Sequence, residues 1–116
     1  MRTLVFCTAL LYATAAHAAD PKLIFGTWIE KYRNGNGMVT EFTPQSMESY
    51  SVDAAGKRVK DVGKFSVSYR DLDPSTIGID FQGGGGVMVL VKDHDAIVLD
   101  FPGMGAHPLK RVEGQP

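Results

Sequence analysis

Between residues 24 and 112 apolar side chains recur at alternate positions in short runs, and each run ends in a cluster of Gly, Pro, Asn, Asp or Ser. No window of eleven residues carries a 3.6-residue apolar period instead. A period of two puts one set of side chains on each face of a strand, and short polar breaks join antiparallel neighbours. The candidate strands are residues 24–33, 38–43, 47–52, 57–69, 76–81, 87–91, 96–101 and 109–112. Asn34-Gly35 is a tight-hairpin dipeptide, and Gly63 marks a bend or bulge. Val87 to Val91 is apolar at every position, the pattern of a strand buried on both sides or lying next to a ligand or partner. The pattern predicts an all-β fold, a small antiparallel up-and-down barrel of seven or eight short strands. Closure removes edges that so small a sheet cannot otherwise protect.

The first eighteen residues read as a cleaved N-terminal signal helix. Arg2 supplies the positive start, residues 4–16 are uncharged and apolar, and Ala16-His17-Ala18 is a small-x-small cleavage site before Ala19. Thirteen apolar residues span roughly 20 Å as a helix, short of the ~30 Å hydrocarbon core, so a membrane anchor is not expected. Cys7, the only cysteine, lies inside the leader with the bulky Leu4-Val5-Phe6 before it, which argues against lipidation. Removing eighteen residues from 116 leaves 98, a single domain at 19–116 with no thiol and no disulfide. A short leader with one Arg suits Sec export to the periplasm, with secretion the other destination. No second apolar stretch of spanning length follows. The net charge of −1 gives no basic excess for a nucleic-acid backbone.

Gly26-Thr27-Trp28 opens the first strand and Leu109-Lys110-Arg111 ends the last. This arrangement resembles the lipocalin-like (calycin) pattern. The resemblance implies that Trp28 packs its indole at the closed end of a barrel, and that Arg111 or Lys110 covers it as a barrel-closing pair. A cation over an indole face gains roughly 0.5–2 kcal/mol. The chain departs from full lipocalins in length and in lacking a helix before the last strand. In the plainer alternative, Trp28 is the largest core residue of an unrelated sandwich.

Groups that suggest chemistry do not assemble into a motif. Asp93-His94-Asp95 reads as a solvated hairpin tip. Met104 and His107 suit a soft metal but are too few, and Met38, Met47 and Met88 read as core filler. Gly83 to Gly86 lack the Lys-Ser/Thr and the helix of a phosphate loop and read as a mobile connector. His94 and His107 fall in loops, and Asp71, Asp73 and Asp80 read as surface charge, as does the basic cluster of Lys57, Arg58, Lys60 and Lys64. The expectation is therefore a non-enzymatic binding protein with no cofactor and no metal.

Two kinds of partner fit. One is a small apolar ligand inside the barrel. The interior would be lined from Trp28, Phe42, Tyr50, Phe65, Val67 and Tyr69 in the first half, and Ile77, Ile79, Phe81, Val89, Leu99 and Phe101 in the second. The other is a partner enzyme, met by an inhibitor or immunity protein through Gly84 and Gly85 in one loop and Met104 and His107 in another. Twelve large side chains in so short a barrel predict a mostly solid interior with at most a shallow pocket.

Overall fold

The computed structural model describes residues 20–112, which form a closed eight-stranded antiparallel barrel. The leader and its cleavage site lie outside the described residues. A short 3₁₀ turn at Pro21–Ile24 precedes β1 (Gly26–Lys31), β2 (Gly37–Thr43), β3 (Ser46–Val52), β4 (Arg58–Asp73), β5 (Thr76–Phe81), β6 (Gly86–Asp93), β7 (Ala96–Phe101) and β8 (Gly105–Arg111). Each strand pairs with the next, and β1 pairs with β8 through Trp28↔Arg111 and Ile29↔Lys110. None of the described helices is long and apolar enough to cross a membrane.

Local chemistry makes the turns. Asn34, Asp53, Asp73 and Asp93 each accept a hydrogen bond at Oδ1 from the backbone N–H two residues on, at 2.7–2.9 Å. Thr43 does the same through Oγ1 at 3.3 Å. Short polar side chains that fold back on their own backbone replace the ladder bonds that end there. Gly83, Gly84 and Gly85 have φ of +97°, +117° and +87°, so the connector between β5 and β6 is a set of left-handed positions open to glycine. It is closed by Phe81 N–H to the Gly85 carbonyl at 2.9 Å.

Alternation then builds the core. Ile24, Trp28, Ile77, Ile79, Val89, Ile97, Leu99 and Leu109 are buried together with Phe42, Met47 and Val87. Val67, Tyr69, Phe81 and Phe101 pack against this cluster half-buried. Three expectations fail here. Tyr50 is not interior: it pairs with Asp61 on the outer face, where the Arg58 guanidinium lies 4.0 Å over its ring. It lies three positions after Met47, so alternation along β3 already places it on the face opposite Met47, and the slip between Ser49 and Tyr50 inserts Val62 on the β4 side without changing that. Ile24 belongs to the 3₁₀ turn, with Pro21 at its start, rather than to the first strand. The run from Val87 to Val91 is not buried on both sides either, since Met88 is 42% exposed on the outer face.

β4 is a corner strand of sixteen residues. Residues 67–73 pair with β5, whereas residues 58–66 pair with β3. Two bulges add Val59 and Val62 to the β4 side, and both are exposed, at 65% and 55%. Bulges and the exposed Lys60 and Lys64 are the usual guards of a free strand edge.

Candidate ligand-binding site

The two ends of the barrel differ. At one end Arg111 lies over Trp28, with the guanidinium carbon 4.3 Å from the ring centre. The Trp28 indole N–H donates to the Ile24 carbonyl at 2.8 Å, which ties the 3₁₀ turn across the opening. Arg111 donates to the carbonyls of Leu23, Phe25 and His94 at 2.8, 3.2 and 2.9 Å. One guanidinium therefore fastens the entering chain at two carbonyls and the β6–β7 turn at a third. Lys110 is exposed and takes no part in this cover.

The opposite end holds a cavity of about 340 Å³. Met47, Leu99 and Leu109 form its buried floor, and Phe81, Phe101 and Met38 line its walls. Val62, Phe65 and Met104 stand at its mouth, exposed at 55%, 43% and 76%. The expected mostly solid interior is therefore half right. Trp28, Phe42 and the isoleucines fill the closed end. The other end stays open because Thr40 and Ser49, whose hydroxyls bond each other at 3.1 Å, present small side chains to it, and Tyr50, expected inside, faces outward. Phe65 lies against Phe81 at 5.0 Å between ring centres instead of filling the space.

Glu30 and His107 are the charged or titratable side chains among the residues that line this cavity. Glu30 is the inward residue of β1 two places after Trp28 and pairs with Met38. His107 lies in β8, not in a loop, and pairs with Leu99. Its Nδ1 is 3.1 Å from one carboxylate oxygen of Glu30 and 3.4 Å from the other. The Phe101 ring meets the imidazole edge-on at 5.7 Å.

The other candidates separate cleanly. The β5–β6 turn with Gly84 and Gly85 and the β7–β8 turn with Met104 lie at the same open end in this up-and-down order. Met104 and His107 line the cavity. Met38 and Met47, read as scattered filler, line it too, while Met88 faces outward. His94 is exposed in the β6–β7 turn at the closed end, beside Asp95. Asp80 is held by Arg70 at 2.6 Å, and the Asp73 carboxyl is held below its ordinary range by hydrogen bonds from Ser75 and Thr76. The two acids have structural partners. Arg58 bridges Glu48 and Asp61 at 3.0 and 2.7 Å.

Glu30 escaped the sequence reading. The available signal was a carboxylate at an inward position of the first strand, in phase with Trp28, where alternation calls for an apolar residue. Comparison of the chain with protein-family models, curated proteins and solved structures finds no match.

Proposed function

We propose that the protein is an exported, lipocalin-like binding protein that holds one small, mainly apolar ligand in the open end of its barrel. The observation that carries this reading is the cavity itself. At about 340 Å³ it falls at the small end of the roughly 300–1,000 Å³ of small-molecule sites, and apolar side chains dominate its walls. The closed end supplies rigidity through Trp28 and Arg111, so the open end is free of that task. Binding rather than catalysis is the reading because the cavity presents one hydrogen-bonded Glu–His pair and no nucleophile in contact with it. Export rests on the leader, and the periplasmic protein is expected to begin at Ala19.

The test is equilibrium binding of a neutral flat probe, 1-methoxynaphthalene, to the purified protein and to Leu99→Trp. The added indole fills the floor of the cavity. Saturable one-to-one binding that the variant loses, with folding retained by circular dichroism, supports the proposal. No binding of this ether or of its hydroxyl analogue 1-naphthol, or equal binding to both proteins, removes it. A second reading, an inhibitor that meets an enzyme through its loops, draws on Met104, which stands 76% exposed at the same rim.

A further inference from the structure

The Glu30–His107 pair has a direction. An ionised carboxylate can only accept, so at 3.1 Å the imidazole must donate from Nδ1. In the neutral ring a proton on Nδ1 leaves Nε2 with a lone pair. Among the described residues the hydrogen-bonded partner of His107 is Glu30 alone, so Nε2 has no protein group to accept from. Phe101 packs edge-on against the ring and restricts its rotation. The cavity thus offers mainly apolar walls, the Thr40 and Ser49 hydroxyls bonded to each other, and an imidazole whose tautomer Glu30 sets.

The same pair selects against other head groups. An anionic ligand would meet the Nε2 lone pair and, behind it, the Glu30 carboxylate. No cation lines the cavity to compensate. A carboxylate-headed apolar molecule, of the fatty-acid kind, is disfavoured on both counts. A ligand without a donor leaves Nε2 facing an apolar surface, and an unsatisfied acceptor costs free energy.

We infer that the ligand carries a hydrogen-bond donor, a hydroxyl or an amine on a compact apolar body, and that His107 Nε2 accepts it while Glu30 sets the ring. His107 is then the binding residue and Glu30 a positioning residue. The inference rests on the proposed ligand reading and adds the head-group class to it.

Three probes of one shape separate the two. These are 1-naphthol, with a donor; 1-methoxynaphthalene, with an acceptor only; and 1-naphthoate, with an anion. Loss of all binding would defeat the ligand reading. Binding of 1-methoxynaphthalene and 1-naphthol with equal affinity would leave that reading standing and overturn this one. The expected result is 1-naphthol about fivefold or more tighter than the ether, the increment of one net hydrogen bond, with 1-naphthoate weakest. His107→Phe should erase the preference for 1-naphthol while the ether still binds. If 1-naphthylamine shows the preference and 1-naphthol does not, the donor is an amine, and the inference stands for that head group. Glu30→Gln tests positioning. Nitrogen NMR of the His107 ring should show Nδ1 protonated and Nε2 bare in the parent protein, and a mixture of tautomers in the variant. An Nε2-protonated ring in the parent protein, or tighter binding of 1-naphthoate than of 1-naphthol, overturns the inference.

Discussion

Arg111 and Trp28 are cross-strand partners at the seam where the last strand meets the first, and the guanidinium lies 4.3 Å above the indole. The contact joins two kinds of stabilisation. The indole is fully buried, and its N–H is satisfied by the Ile24 carbonyl. The guanidinium covers the ring and donates to three carbonyls in two segments far apart in the chain, Leu23 and Phe25 in one and His94 in the other. Flat, multiply donating cations do this; a lysine ammonium presents a point charge and cannot reproduce the fork.

Arg111→Ala is expected to cost about 2–3 kcal/mol, the stack plus the carbonyls left without donors. Arg111→Lys should recover less than half of that. Urea denaturation reads both. Trp28→Phe combined with Arg111→Ala should cost less than the sum of the single changes, because each removes part of the same contact. Strict additivity would show that the two residues stabilise separate regions.

The glycines after Phe81 serve two different ends. Gly84 has φ of +117° and open space around it, so Gly84→Ala should cost about 1–2 kcal/mol through backbone strain alone. Gly86 has an ordinary φ, yet a Cβ there would collide with the Ile79 carbonyl oxygen across the β5–β6 pair. Backbone on that ladder cannot yield cheaply, and Gly86→Ala should cost more than about 2 kcal/mol. Equal urea midpoints for the two variants would contradict this division.

The barrel was legible because its signals are local. Alternation and turn residues recur along the whole described chain, and the seven hairpins follow from them one by one. The first-to-last closure was legible through Trp28 and Arg111 because edge removal demands it. Three features were hidden for physical reasons. Tyr50 points outward because it lies three positions after the inward Met47, and a large aromatic covered by Arg58 on the outer face looks the same in the sequence as one that fills the core. β8 begins at Gly105 rather than Leu109 because Pro108 sits on its edge toward β1, beyond the two β1–β8 pairs, where no N–H is needed. The open cavity depends on Thr40 and Ser49 facing each other across β2 and β3, a pairing set by register and not by composition.

Tyr69 gives a pH dependence with a definite sign. Burial pushes its phenol up to about 12, and the O–H donates to the Thr43 carbonyl at 2.6 Å. The folded value lies above the ordinary value near 10, so the folded chain holds this proton where the unfolded chain has lost it. The stabilisation is complete below pH 10 and disappears as pH rises from 10 toward 12. The ring is partly solvated, which reduces the full linkage to about 1 kcal/mol. Tyr69→Phe should flatten the alkaline limb of the stability curve in that window and lower stability below it by the loss of one hydrogen bond. An unchanged alkaline limb in the variant would assign the loss to other groups.

Phe65 and Gly63 govern the mouth of the cavity together. They sit two residues apart on the inward side of β4, and the Phe65 ring folds back over Gly63, so that a Cβ at 63 would lie 2.7 and 2.8 Å from two ring carbons. The obstacle is the end of a half-exposed side chain, which can swing away, unlike the carbonyl that faces Gly86. Gly63→Ala should therefore displace the ring from its 5.0 Å stack on Phe81 without unfolding the barrel. Losing the aromatic pair costs about 0.5–1.5 kcal/mol, and replacing a strand glycine by alanine returns about 0.5–1 kcal/mol. Net stability should stay within about 1 kcal/mol of the parent protein. Because Phe65 lines the cavity, dissociation of 1-naphthol should accelerate both in Gly63→Ala and in Phe65→Ala, with Leu99 and the floor unchanged. Stopped-flow dissociation paired with urea denaturation separates the two effects. A large loss of stability would mean that the ring cannot move, and an unchanged dissociation rate would mean that Phe65 does not guard the entrance.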